Sequence, residues 1–452
     1  MANVIKIKKG LDILLEGHAD EKPLKVYTSN TYAICPPDFN GVTPRVTVKA
    51  GDLVKVGSVL MEDKNRPEIK FVSPVSGEVA AINRGEKRRL LSIVVKADGA
   101  MTCQEFGKKE IAATDAETIK QSLLDAGIWP FIKQRPYDIV ANPEIAPRDI
   151  FISTFDSSPL APNFSYTIKG EEENFQTGLD ALKKLTKGEV YLGIRSGGGI
   201  SGALLHAKGV ETIAFEGPHP AGNVGVQINN IAPINKGETV WTLRGDDVLL
   251  IGRLFNKGVV DFSRKIAVTG SKITERGYAD VIMGAEIKSI TQGRVEDNGH
   301  LRYISGNVLT GTKVSPDDYL RAYHTQITVI PEGDDIHELF GWAMPRLDQY
   351  STNRTYFSWL LGKKNYCADA RIKGGKRAII MSDEYDRVFP MDILPEYLLK
   401  AIITFNIDKM ENLGIYEVAP EDFALCEFVD ASKIEIQKIV RDGLDMLYKE
   451  LH

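Results

Sequence analysis

Hydrophobic and polar residues change rhythm several times along the chain, and each change predicts a different kind of element. Between residues 40 and 98 the alternation is short. Pro44-Arg45-Val46-Thr47-Val48 reads as a half-buried strand, and turn residues recur at Gly51-Asp52, Gly57-Ser58, Pro74, Ser76-Gly77 and Gly85. Residues 100–147 read as a connector. Thr114 as N-cap with Glu117 at the third helical position predicts a helix running to Ala126 and stopping at Gly127. The stretch holding Pro130, Pro136, Pro143 and Pro147 then reads as loop. From about 148 strands and helices alternate. A strand is expected at Ile150–Phe155 and a helix from Asn174 to Lys187 on the stripe Phe175, Leu179, Leu182, Leu185, closed by Gly188. A strand at Glu189–Ile194, a Gly-rich turn at 196–202, a helix with Leu204, Leu205 and Ala207, and a strand at Thr212–Glu216 follow. Such alternation predicts a parallel α/β sheet. The apolar run Leu249-Leu250-Ile251 suits a buried strand. Residues 256–330 turn β-rich again, with Gly270, Gly277, Gly284, Gly293 and Gly299 as turn markers. From Asp335 onward the chain reads as mainly helical. One helix opens at Asp392-Ile393-Leu394-Pro395, and a last one carries the stripe Ile436, Ile439, Val440, Leu444, Leu447, Leu451.

These shifts divide the 452 residues into four expected units, 1–100, 101–255, 256–332 and 333–452; the length alone asks for more than one core. The string VKAGDLVKVGSVLMED at 48–63, with its sequel to residue 98, resembles a barrel-sandwich hybrid, the fold of lipoyl and biotinyl carrier domains. Lys64 is the nearest candidate for a modified lysine. The stretch from Lys64 to Pro74 is longer than a carrier hairpin, and Asn65-Arg66-Pro67 follows the lysine, so this domain is expected to be unmodified.

Charge changes the picture mainly by exclusion. The net charge is −5 and no basic stripe stands out, so no nucleic-acid partner is expected. Lys87-Arg88-Arg89 reads as a solvated turn. No apolar h-region opens the chain, and no apolar run approaches the roughly 18–20 residues that span a bilayer. A role at a membrane would therefore depend on other chains. Cys35, Cys103, Cys367 and Cys426 lie far apart with no C-x-x-C pair, which fits free, mostly buried thiols and no metal or cluster site.

Candidate chemistry sits after two of the expected strands. Arg195-Ser196-Gly197-Gly198-Gly199-Ile200-Ser201-Gly202 lies between a strand and a helix, the setting of a dinucleotide or flavin phosphate site. Gly197, Gly198, Gly199 and Gly202 are the candidates, although their spacing departs from the G-x-G-x-x-G rule. The second cluster, Glu216 to Gly225, contains His219 and Gly222 and lies at the same carboxyl end of the sheet. His219 could give a hydrogen bond or a proton to a quinone or phosphate oxygen; the alternative is a loop histidine held between two prolines. Lys376-Arg377-Ala378-Ile379-Ile380-Met381, with Arg387, reads as a strand flanked by surface cations. No Ser/His/Asp or Cys/His set can be assembled from the sequence alone without inventing geometry, and no H-E-x-x-H or P-loop pattern is present, so no catalytic residue is assigned.

Longer strings carry a family resemblance. IKIKKGLDILLEG (5–17), FEGPHPAGNVG (215–225), FGWAMPRLDQYSTNRTYFSWL (340–360), FPMDILPEYLLKAIITFNIDKMENLGIYEV (389–418) and EDFALCEFVDASKIEIQKIVRDGLDML (421–447) resemble the A subunit of the sodium-translocating NADH:quinone reductase. The resemblance implies a peripheral subunit on the cytoplasmic face of a bacterial inner membrane. The complex has six subunits, oxidises NADH, reduces quinone and exports Na⁺. The B, C, D, E and F subunits would be the partners, chiefly B and C. Flavins and iron–sulfur centres would lie in those partners, with no cofactor in this chain, and the chain alone would be inactive. The implied fold class is α/β multidomain: a barrel-sandwich hybrid, a Rossmann-like domain, a β-grasp (SLBB-like) domain and a C-terminal helical domain. Related subunits of the Rnf complex and complex I hold an NADH and FMN site and cysteine-ligated clusters. Here Ala424-Leu425-Cys426-Glu427 offers a single thiol where a four-iron cluster takes four thiolates. Two roles remain open for the chain: a share in the quinone site with the B subunit, or a docking subunit that never touches quinone. A free-standing NAD or flavin enzyme is disfavoured by the absent cysteines and the glycine spacing.

Overall fold

The computed structural model describes residues 3–296, 299–334, 340, 343–362 and 364–452. Short alternating runs fold near the N-terminus into two small antiparallel sheets. One orders Thr31–Ile34, Leu90–Ala97, Gly77–Arg84 and Leu53–Val54; the other orders Pro44–Val46, Val59–Asp63 and Lys70–Val72. Leu60, Met61, Val75, Val79 and Ile93 are sealed between them. Lys64 stands exposed on the loop after Asp63. The buried Asp63 carboxylate fixes that loop by accepting from the Thr43 and Asn65 amides and from Arg66 Nε.

Five parallel strands form the second unit in the order Asn3–Lys6, Glu211–Glu216, Val190–Arg195, Ile150–Ser153, Val240–Arg244. The chain winds outward from Ile150–Ser153 to Glu211–Glu216 and then returns to lay Val240–Arg244 on the other side of Ile150–Ser153. The boundary between Ile150–Ser153 and Val240–Arg244 is thus a topological switch point. Two antiparallel strands, Lys133–Arg135 and Ile139–Val140, extend the sheet, so the proline-rich stretch is not all loop. Pro136 sits in the turn, where it withdraws no ladder donor.

The helices Glu172–Lys184 and Gly245–Lys257 pack on one face of this sheet. Their backbones touch through two glycines: a Cβ on Gly252 would lie 1.7 Å from the Asn174 carbonyl oxygen, and one on Gly178 would lie 2.3 Å from that of Val248. Leu249-Leu250-Ile251 therefore belongs to a helix, not a strand. Asp246 and Asp247 in its first turn, Lys257 in its last and Gly258 at φ +74° are helix signals that outweigh a three-residue apolar run. The connector helix spans Ala116–Asp125 and is capped by Asp115, whose carboxylate accepts from the Thr118 amide at 2.9 Å. Thr114, the expected cap, instead donates to the Glu110 carbonyl. After the Gly-rich turn the helix is a single turn, Gly202–Leu205.

A mixed sheet follows, ordered Thr312–Val314, Leu301–Ser305, Gln326–Pro331, Ser263–Thr269, Gly277–Ile282 and Pro23–Leu24. The expectation of helix from Asp335 onward fails over much of its length. Asp335 itself lies outside the described residues, as do Gly341 and Trp342 of the 340–360 string. Residues 343–392, where described, carry only short 3-10 turns, in keeping with Pro345, Gly362, Gly374 and Gly375. Lys376–Met381 forms no strand. Helices resume at Pro395–Ile403, with further ones at Ile407–Asn412, Ala424–Val429 and Ile436–Leu451. The last buries Ile436, Val440, Leu444 and Leu447 against Leu398 and Ile402, while Leu451, in its final turn, is exposed. This helical cap shares its core with Ile7, Ile13 and Leu15 and with Phe215 of the parallel sheet.

Candidate functional site

The carboxyl ends of Ile150–Ser153 and Val240–Arg244 open into a cavity of about 440 Å³. Open α/β sheets bind ligands at such a place, and the volume suits a small molecule. Every unit contributes to its wall. Asp38 comes from the N-terminal unit, Lys133 and Asp138 from the hairpin, Arg321 to Gln326 from the mixed sheet, and Glu421, Gln437 and Arg441 from the helical cap. Phe131, Phe155, Phe164 and Leu309 set apolar surface beside these charges.

His219 is built into this wall. Its backbone amide donates to Asp12 Oδ1 at 2.9 Å, and its ring Nδ1 lies 3.0 Å from Ser157 Oγ. Ser157 Oγ also accepts from the Gly222 amide at 2.8 Å. The Gly222 carbonyl in turn accepts from Ser153 Oγ at 2.8 Å, and Gln227 Nε2 donates to Ser153 Oγ at 3.0 Å. Among the described residues the Ser157 hydroxyl has no other acceptor, so its proton goes to Nδ1 and the ring proton is assigned to Nε2. His219 Nε2 is buried and, among the described residues, has no hydrogen-bond partner. Burial pushes the His219 pKa down against the pull of Asp156, Asp12 and Asp422, which keeps the ring neutral near pH 7. An unpaired buried donor costs free energy unless something occupies the space before it.

A second histidine faces the same cavity. His324 Nδ1 lies 2.9 Å from Ser305 Oγ, which accepts from the Arg321 amide at 3.0 Å. Burial first, and then Arg244, Arg321, Lys133 and Arg264, push its pKa down to about 3. The helix Gly245–Lys257 points its N-terminus at the cavity. Arg264 pairs with Asp247 at 3.0 Å, both side chains being out of water, and burial raises the Asp246 pKa against Arg264 and Arg244.

The two sequence-derived clusters therefore part company. His219 and Gly222 line the cavity. Gly197, Gly198, Gly199 and Gly202 are exposed and do not, and a Cβ on any of the first three would meet nothing within 4 Å. Lys376 and Arg377 are exposed on irregular chain. Ser157, His324 and Asp246 went unsuspected. For Asp246 a signal existed, since Arg244-Gly245-Asp246-Asp247 is itself a strand-to-helix turn of the kind that drew attention to 196–202. Of the cysteines, Cys35 and Cys426 are buried, but Cys103 is half-buried and Cys367 exposed. Among the described residues no group of three or more His, Cys, Asp or Glu could hold a metal ion.

Sheet, cap and cavity define a class: a multidomain α/β protein with a barrel-sandwich unit and a small-molecule-sized cavity at the switch point of its parallel sheet. Residues 5–98 match the family model for the NqrA N-terminal barrel-sandwich hybrid domain, residues 114–260 that for the NqrA second alpha/beta domain, and residues 265–315 that for the NQRA C-terminal domain. The A subunit of the Na(+)-translocating NADH-quinone reductase from Neisseria meningitidis serogroup B is 36% identical over 450 residues, covering 99% of this chain and 100% of its own length. That of Photorhabdus laumondii is 35% identical over 450 residues, covering 99% of this chain and 100% of its own. The chain belongs to the NqrA family, the A subunit of the Na⁺-translocating NADH-quinone reductase. Among solved structures, an air-oxidized NAD⁺-reducing NiFe hydrogenase aligns with a TM-score of 0.38 at 11% identity, covering 77% of this chain and 67% of its own, a likeness too slight to carry an argument.

Proposed function

We propose that this chain is a peripheral, cytoplasm-facing subunit of a six-subunit complex that oxidises NADH, reduces quinone and exports Na⁺, and that its switch-point cavity receives the quinone head group. The observation that carries the reading is His219, a neutral ring in the cavity wall whose buried Nε2, assigned as the protonated nitrogen, has no hydrogen-bond partner among the described residues. A quinone carbonyl is an acceptor of the kind this donor lacks, and a ring bearing two carbonyls suits walls where Phe155 and Leu309 stand beside Lys133 and Arg244. The isoprenoid tail, being apolar throughout, is better accommodated by a membrane subunit, which supports a site shared with the B subunit. The glycines of 196–202 have no part in this reading. The chain holds no flavin or cluster of its own and is inactive alone; electrons reach the quinone from partner subunits. No helix among the described residues is long and apolar enough to cross a membrane, in keeping with attachment through the B and C subunits.

The test is a calorimetric titration of the isolated chain with a short-tailed quinone, repeated with His219→Ala, beside quinone kinetics of the assembled complex. Saturable binding near one quinone per chain, weakened by the variant, supports the reading. No binding, together with unchanged quinone kinetics in the His219→Ala complex, leaves the rival: a docking subunit that never touches quinone.

A further inference from the structure

The described part of residues 343–381 has a surface unlike the rest of the molecule. Its apolar residues face water: Met344, Leu347, Phe357, Trp359, Leu360 and Leu361 are 45–61% exposed, and Ile372 is 76% exposed. It is also basic. The sequence between Ala343 and Met381 contains eight Lys or Arg against two acidic residues, Asp348 and Asp369, in a chain whose net charge is −5. The stretch therefore carries a net positive charge while the remainder of the chain is net acidic.

The exposed residues stand on an ordered base. Tyr366 is buried and exchanges backbone hydrogen bonds with Leu14 and Glu16, and Tyr350 packs on the Tyr366 and Phe428 rings at 5.5 and 6.2 Å. The Phe357 amide donates to the Pro345 carbonyl at 2.9 Å, and Lys364 Nζ donates to the Leu347 carbonyl at 2.7 Å. Those bonds set the Met344–Leu347 stretch beside the Phe357–Leu361 turn. Arg354 lies over the Trp359 ring at 5.2 Å, and Arg346 over Tyr356 at 5.6 Å. Two cations thus lie over aromatic rings beside the exposed apolar residues.

We infer that residues 343–381 form a surface that sits on the anionic phospholipid headgroups of the bilayer holding the complex, with Trp359, Leu360 and Phe357 dipping into the interface. Two kinds of partner could cover such a surface; its aromatic residues and arginines suit either, and the lysine content with the net positive charge favours lipid. The cores of protein–protein interfaces are depleted in Lys, whereas this stretch contains four. Trp and Tyr interleaved with Lys and Arg are the mark of the membrane–water boundary, and the cytoplasmic leaflet is negatively charged. A surface that lies on lipid needs no spanning helix. The inference is independent of what the cavity binds.

The test is co-sedimentation of the full chain with vesicles of phosphatidylcholine alone and of phosphatidylcholine with 30% phosphatidylglycerol, each at low and high salt. Binding to the anionic vesicles, weakened by salt and accompanied by a blue shift of tryptophan emission, is expected. Each basic residue near such a surface contributes on the order of 1 kcal/mol, about fivefold in partitioning. The pair Lys376→Gln and Arg377→Gln should then weaken binding roughly 30-fold, and Trp359→Ala should weaken it and remove most of the blue shift. The control Lys87→Gln with Arg88→Gln, on the exposed turn of the N-terminal unit, should change it less than twofold. Binding that ignores lipid charge, an equal loss from the control pair, or no binding to either vesicle overturns the inference. So does loss of affinity for detergent-solubilised membrane subunits in the Lys376/Arg377 pair without any lipid binding by the parent chain, which would assign the surface to a protein.

Discussion

Arg135 Nη1 lies 2.8 Å from Asp422 Oδ2 with both side chains almost wholly out of water, and this contact ties the parallel sheet to the helical cap. The same guanidinium donates to the Glu417 carbonyl at 2.9 Å and to Glu421 Oε1 at 3.0 Å. Burial alone would favour the neutral form of Arg135, but Asp422, Glu421 and Asp138 outweigh it and raise its pKa. Removing Asp422 leaves the buried guanidinium with only the half-exposed Glu421 carboxylate as a paired counter-charge, at a cost approaching about 3–5 kcal/mol. Asp422→Ala should therefore lower the urea midpoint of the transition that releases the cap. The double change Arg135→Met with Asp422→Leu should recover most of that loss, because it removes both charges and keeps apolar volume. If the double variant is as unstable as the single one, the contact matters for its hydrogen bonds to the cap rather than for charge balance.

His324 should make the protein sensitive to mild acid. Its folded-state pKa is about 3, against an ordinary value of 6.5. As pH falls the unfolded chain takes up the proton first, so stability is complete above about pH 6.5 and is lost progressively toward pH 3. Between pH 7 and pH 5 the loss from this residue is about 1–2 kcal/mol. The direction is the same for His219, whose pKa burial also lowers. Urea midpoints measured across this range should fall less steeply in His324→Gln than in the parent; parallel curves would rule the residue out as the source.

How much of this was legible follows from what each signal measures. The parallel unit was readable because its strands and helices are long enough to show their period: the stripe Phe175, Leu179, Leu182 is buried as expected, in a helix that begins two residues earlier than Asn174. The hairpin at Lys133–Val140 was hidden by its brevity and by Pro136. Leu249-Leu250-Ile251 misled because a fully apolar run has no period, and only the flanking Asp247 and Gly258 settle it. His219 could be singled out by its place after a strand. Ser157, 62 residues away in the same unit, and His324, 105 residues away in the next, could not, since nothing local joins residues that come together only when the chain has folded around one cavity.

Ser157 acts on His219 as a positioning residue, and the proposed quinone role gives it a measurable consequence. Its hydroxyl holds the ring through Nδ1 while anchored by the Gly222 amide. A net hydrogen bond contributes about 0.5–1.5 kcal/mol, which corresponds to roughly three- to tenfold in affinity. In the assembled complex Ser157→Ala should raise the quinone KM by about that factor with little change in kcat. Ser157→Thr, which keeps the hydroxyl, should restore it. A fall in kcat at constant KM would contradict a ground-state positioning role.

Two glycines separate packing from phosphate binding. In the middle of a helix Gly→Ala is ordinarily favourable by about 1 kcal/mol. At Gly252 the new Cβ would meet the Asn174 carbonyl at 1.7 Å, a contact with backbone that cannot swing aside, so the helices Glu172–Lys184 and Gly245–Lys257 must move apart. The clash should override the propensity gain and leave Gly252→Ala less stable by about 3 kcal/mol. Gly198 has no neighbour within 4 Å of such a Cβ, and Gly198→Ala should be neutral or stabilising by up to about 1 kcal/mol. A Gly-rich turn that cradled a pyrophosphate would lose affinity when its backbone gained a methyl group, because the phosphate must approach that backbone closely. Gly198→Ala should leave NADH and quinone kinetics of the complex at parent values. A selective rise in the KM for NADH in that variant, at unchanged stability, would return the turn at 196–202 to the functional site.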